Sequence, residues 1–139
     1  MKKIILLFLV ILLVAFFIYG REAIKKSNEI KSKYKDFTII KHKLENKEYT
    51  LLLADSPEEQ EKGLMNFRNL AGVDGMLFTF PDKQIRHFWN KNTLLDLELL
   101  WIDGDKIVGR SKLPSIEKSK EIITVSSPVA VDKVIELPL

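Results

Sequence analysis

The sequence predicts a mainly β protein: a compact antiparallel sandwich or barrel-like domain with one short α-helix, preceded by an N-terminal transmembrane helix. Three observations carry this expectation. Sixteen consecutive apolar residues, Ile4–Tyr19, follow Lys2 and Lys3. Beyond residue 36 the apolar residues come in short alternating or continuous runs, which is strand patterning rather than helical spacing. Finally, only Ser56-Pro57-Glu58-Glu59 carries strong helix-start chemistry, and no strand–helix–strand rhythm is visible.

Residues 1–20 read as a signal anchor. The uncharged stretch from Ile4 to Gly20, at roughly 1.5 Å per residue, spans about 25 Å as a helix, the short end of a bilayer crossing. A cleavage site needs small residues at −3 and −1, and Gly20 at −1 would put the bulky Ile18 at −3. An uncleaved anchor is therefore expected; cutting would make the domain secreted. Residues 21–36 read as a charged stalk, either continuing the helix or disordered. Two lysines before the apolar run and six bases after it give opposite answers under the positive-inside rule. The signal-like layout favours a domain outside the cytoplasm, in contact with the membrane through residues 4–20.

Residues 37–139 form the expected β domain. Phe37–Lys43 and Tyr49–Ala54 read as strands joined by the turn Glu45-Asn46-Lys47. Ser56 can cap a helix, Pro57 fits its first position and Glu59 completes a capping box, with Gly63 ending it. Gly75–Phe80, Ile85–Trp89, Leu97–Ile102, Lys106–Arg110, Glu121–Val125 and Asp132–Leu137 read as further strands. Asp103-Gly104 between two of them is a hairpin signal.

Charge and composition exclude several classes. The net charge of +3 is unevenly held: residues 1–36 carry eight Lys/Arg against three Asp/Glu, and residues 37–139 carry fourteen against sixteen. The domain, at −2, has no basic run interleaved with aromatics, so nucleic acid is not an expected partner. There is no cysteine, hence no disulfide-linked partner, thiolate metal site or cysteine nucleophile. No nucleophile elbow, Walker loop, glycine-rich dinucleotide loop or His-x-x-x-His occurs, so neither a cofactor nor a metal is expected. Asp103-Gly104-Asp105 opens like a calcium loop, but its twelfth position is Pro114, which leaves the hairpin reading.

Candidate chemistry lies between residues 65 and 98. His87 sits among Arg86, Trp89 and Lys91; on a strand, His87, Trp89 and Lys91 share one face. The plain reading is a partly exposed strand histidine; the functional one is a proton handler. Asp96 and Glu98, two apart, would project together, as paired catalytic carboxylates or simply as a solvated strand face. The run Phe88-Trp89-Asn90-Lys91-Asn92-Thr93 supplies an aromatic face followed by donors, which suits a sugar or a small anion. It equally suits a turn.

The ordered set Leu53-Ala54-Asp55-Ser56-Pro57-Glu58-Glu59, Gly63-Leu64-Met65, Gly75-Met76-Leu77-Phe78-Thr79-Phe80, Phe88-Trp89-Asn90-Lys91-Asn92-Thr93 and Ile102-Asp103 resembles the DUF192 (UPF0127) family over roughly residues 50–137. Asn90 stands where the family usually has Met. Phe67 takes the place of its Arg, with Arg68 displaced by one, and Glu98 replaces an Asp. The resemblance implies a mostly β, sandwich-like fold and an extracytoplasmic address, and brings no established activity. It directs attention to Trp89, Lys91, Asn92, Thr93, Met65 and Arg68 as a binding surface.

The first functional expectation is a membrane-anchored, non-catalytic module binding envelope carbohydrate or a small anion. The alternatives are a hydrolase using Asp96 or Glu98 with His87, and a scaffold for another envelope protein.

Overall fold

The computed structural model describes residues 2–139, with side chains from residue 11 onward. It divides into two units, Met1–Lys35 and Asp36–Leu139. The first contains one helix, α1 (Lys2–Lys33), so the expected anchor and most of the expected stalk form a single continuous element. Lys31 and Lys33 in its last turn complement the partial negative charge of the helix C-terminus. The side chains of residues 4–10 in the expected membrane segment lie outside the described residues. Ile11–Val14 and Phe16–Tyr19 carry exposed apolar side chains, Phe16 at 78%. Among the described residues no helix is long and apolar enough to cross a membrane.

The second unit is mainly β. Its elements are β1 (Thr38–Leu44), β2 (Lys47–Ala54), α2 (Pro57–Lys62), β3 (Gly75–Gln84), β4 (His87–Trp89), β5 (Leu97–Asp103), β6 (Lys106–Leu113), α3 (Ile116–Ser119), β7 (Thr124–Ser126) and β8 (Val131–Pro138). Each expected strand has a counterpart, but Ile85–Trp89 and Glu121–Val125 are reduced to the three-residue strands β4 and β7. Six of the strands form one sheet in the order β1-β2-β3-β8-β5-β6, and β4 and β7 form a separate two-stranded ribbon.

Two expectations are corrected. The sheet is mixed, because β2 and β3 run parallel while the other pairs are antiparallel. A parallel pair needs a crossover of a dozen or more residues, and the segment 55–74 with α2 inside it supplies one. Apolar alternation reveals that a strand exists, not which neighbour it takes. A second, four-residue helix, α3, is also present; it is too short to leave a periodic signal.

The local chemistry at α2 is as expected. Ser56 Oγ accepts from Glu59 N–H at 3.3 Å, and the Glu59 carboxylate accepts from Ser56 N–H at 3.1 Å. Gly63 closes the helix at φ 45, a conformation that costs other residues strain. Gly104, at φ 62, makes the β5–β6 turn, and Asp132 Oδ1 accepts from its N–H at 2.9 Å.

Both faces of the sheet are apolar. One carries Leu51, Leu77, Leu100, Ile102 and Ile135, packed with Leu44 and Tyr49. Strand alternation places Leu52, Met76, Phe78, Leu99, Trp101, Val134 and Glu136 on the other face, all buried. The ribbon is pinned to this second face by Phe88. Its ring meets Phe78 edge-on at 4.8 Å and Trp101 at 5.7 Å between centroids.

Candidate functional site

The β3–β8 pairing runs from Met76↔Glu136 to Thr79↔Lys133 and resumes at Gln84↔Val131. Five steps along β3 therefore match two along β8, and Pro81, with no N–H to donate, lies in the gap. This bulge redirects the chain so that Phe80, Gln84, Ile85, Arg86 and His87 border a cavity of about 450 Å³. Gln60–Met65, from α2 and the turn after it, form another side. Phe78, Phe88, Trp89, Thr93 and Glu136 complete it. The volume falls within the range of small-molecule sites, roughly 300–1,000 Å³.

The most buried polar residue lining the cavity is Glu136, 4% exposed. It stands between Met76 on β3 and Leu99 on β5. Burial pushes its carboxyl up to about 8, with no cation or hydrogen-bond donor of the described residues offsetting that cost. The Glu136 side chain is therefore largely an uncharged acid at neutral pH.

The cationic lining residues have partners. Lys62 Nζ is 2.7 Å from Asp36 Oδ2 and 5.1 Å from the Phe37 ring. Arg86 donates at 2.6 Å to both the carbonyl and the carboxylate of Asp82, and its guanidinium lies 3.9 Å over the Phe80 ring. Arg86 Nε is buried and has no acceptor among the described residues. His87 Nδ1 is 2.7 Å from Ser126 Oγ across the β4–β7 ribbon.

The residues singled out in the sequence separate into groups. Met65, His87, Trp89 and Thr93 border the cavity. Trp89 remains 46% exposed, and Met65 and Thr93 form an isolated β-bridge. Lys91 lies 5.3 Å over the Trp89 ring, outside the lining. Asn92 is a turn residue at φ 54 whose carbonyl accepts from Asn66 N–H at 2.9 Å. Arg68 is exposed and lies 3.5 Å from Glu117. Asp96 and Glu98 do not line the cavity with His87. Asp96 accepts from Ser115 N–H at 2.8 Å and Lys118 Nζ at 3.1 Å, while Glu98 pairs with Arg110 at 3.1 Å. The Ser115 N–H, followed by Lys118, holds the Asp96 carboxyl below the usual aspartate value.

Asn90, within the same motif, does something different. Fully buried, it donates from Nδ2 to Pro114 O at 2.9 Å and Ser119 Oγ at 2.8 Å, and its Oδ1 accepts from Ile123 N–H at 2.8 Å. It ties the segment 114–123 to the end of β4.

Sequence reasoning passed over Glu136. Its signal was present: in Val134-Ile135-Glu136-Leu137 an acid interrupts an apolar run at an inward phase of the strand. With both faces of β8 apolar, alternation alone did not mark that phase as inward.

No curated protein matches the chain. Among solved structures, a Sinorhizobium meliloti 1021 protein described as a candidate transcription regulator is 36% identical, with a TM-score of 0.56 over 66% of this chain and 70% of that one. A Novosphingobium aromaticivorans DSM 12444 protein of unknown function is 19% identical, with a TM-score of 0.59 over 73% of each chain, and shares the fold. The family model DUF192, described as "Uncharacterized ACR, COG1430", matches residues 38–139, the whole of the β sheet and its ribbon. The chain belongs to the DUF192 family.

Proposed function

We propose that this protein is a membrane-anchored, extracytoplasmic binding module whose cavity takes a small, ring-bearing polar ligand of about monosaccharide size. The observation that carries the reading is the cavity itself, lined by aromatic rings and by the buried acid Glu136. Phe78, Phe80, Phe88 and Trp89 supply apolar surface for a ring face, and Glu136 and Thr93 supply polar groups for hydroxyls. The apolar run Ile4–Tyr19 supports the anchor. The net charge of −2 over residues 37–139 gives no support for carrying transcription regulation over from the Sinorhizobium protein.

The test is a thermal-shift and calorimetric screen of the full chain in detergent against hexoses, pentoses and their amino derivatives. A ligand at 100 times its Kd should stabilise by about 2.7 kcal/mol. Trp89→Ala should weaken binding by about tenfold, as expected for a lost stacking face. No stabilisation by any member of the screen would defeat the reading. Membrane fractionation and external protease on intact cells test the address: the expected result is a membrane-bound chain whose β domain is cleaved from outside.

A further inference from the structure

A buried acid in a cavity is an incomplete arrangement. Acids removed from water are ordinarily paired, and the attraction of a partner grows as the surroundings become less polar. Glu136 has no such partner among the described residues. Its neighbours across the sheet, Met76 and Leu99, are apolar. On its own strand the nearest cation, Lys133, is turned to the β5–β6 hairpin, where it donates to Gly104 O.

The charges facing the cavity from the other elements point the same way. Lys62 from α2 is joined to Asp36, and Arg86 from the bulged segment to Asp82; neither carboxylate lines the cavity. His87 from β4 is bonded to Ser126. Glu61, also in the lining, has no ion-pair partner among the described residues, so the two lining carboxyls, Glu61 and Glu136, are unpaired while the lining cations Lys62 and Arg86 are paired, Arg86 Nε alone keeping an N–H without an acceptor. The aromatic faces on this side already hold cations of the chain: Arg86 lies over Phe80 and Lys91 over Trp89. Such rings attract positive charge through their quadrupoles.

We infer that the cavity's ligand is an organic cation, an ammonium group on a ring or apolar body, and that the Glu136 carboxylate is its counterion. This rests on the binding reading above and names the chemistry of the ligand. Because free Glu136 holds its proton at neutral pH, cation entry expels that proton to solvent as the ion pair forms. Binding is then proton-linked. Affinity for a permanent cation should rise about tenfold per pH unit below the Glu136 midpoint of about 8 and level off above it. A neutral ligand hydrogen-bonded to the protonated acid gives the opposite trend, flat at low pH and weakening above that midpoint.

The test uses the full chain and two matched pairs: choline with its neutral isostere 3,3-dimethylbutan-1-ol, and glucosamine with glucose. The expected result is tighter binding of at least one cation than of its neutral mate. For choline, calorimetry in buffers of different ionisation enthalpy should show release of about one proton per ligand near pH 6.5. Glu136→Gln should abolish both the proton release and the preference for the cation, with circular dichroism confirming that it folds. The proton count on the unaltered chain stands even if that variant fails to fold. Binding of glucose or the neutral alcohol without proton release, at least as tight as the cations, overturns the cation assignment and leaves the binding reading intact. No thermal shift with any of the four at millimolar concentration overturns both.

Discussion

The backbone carbonyl of Glu136 occupies the space into which a side chain on Gly75 would project. Gly75 opens β3 beside the central strand β8, and the close approach fixes the sheet under the cavity. Gly75→Ala must push β8 away or distort both strands. The expected cost is about 3 kcal/mol, the upper end of ordinary core overpacking, because the clashing atom is backbone. Urea denaturation checks this through the unfolding midpoint.

Glu136 also makes stability depend on pH with a definite sign. Its folded value, about 8, lies above the ordinary glutamate value of 4.5, so between these pH values the folded chain holds a proton the unfolded chain has lost. Stability should therefore fall as pH rises from about 4.5 to 8 and flatten above. The total is on the order of a few kcal/mol. Glu136→Gln should remove that slope, and melting curves from pH 5 to 9 would show it. The slope is the readout, because a buried amide has its own constant cost.

Asn90 should be a structural residue rather than a ligand contact. Asn90→Ala leaves the Pro114 carbonyl, the Ser119 hydroxyl and the Ile123 N–H without this partner. A loss of about 2–4 kcal/mol is expected, several unsatisfied buried groups at once. Hydrogen exchange should accelerate at residues 114–123 before the central strands are affected.

Asp96 holds the same segment at Ser115 and Lys118. Its carboxyl is held low by Ser115 N–H and Lys118, so its contribution is complete above the ordinary aspartate range and is lost as pH falls through the lowered value. Asp96→Asn should loosen Pro114–Ser119 while changing ligand affinity at the cavity by less than about twofold. Titration of a cavity ligand with the variant measures this. A large loss of affinity would restore Asp96 to the site.

The strands, the capped helix and the hairpin at Gly104 were legible because each depends on local rules: alternation, a capping box, a residue tolerant of positive φ. Trp89 and Thr93 were legible as members of a distinctive polar-aromatic run, His87 as the strand histidine just before it, and Met65 only through the family resemblance. The parallel pairing of β2 with β3, α3 and the role of Asn90 were not, since each depends on partners more than twenty residues away or on an element too short for a period.

By itself, then, the sequence determined the mainly β character of residues 37–139, the division of charge between the N-terminal segment and the domain, and the sixteen-residue apolar run that suggests an anchor. Only the tertiary structure decided which polar groups share a cavity. Asp96 and Glu98, two apart in the chain and attractive as a pair, are each committed to cations or backbone elsewhere. Glu136, unremarked in the last strand, lines the same cavity as Trp89 and His87, more than forty residues away in the chain. The reason is physical: alternation assigns a side chain to a face, but the order of strands and the bulge at Pro81 decide what that face meets, and so whether an acid finds water, a partner or neither.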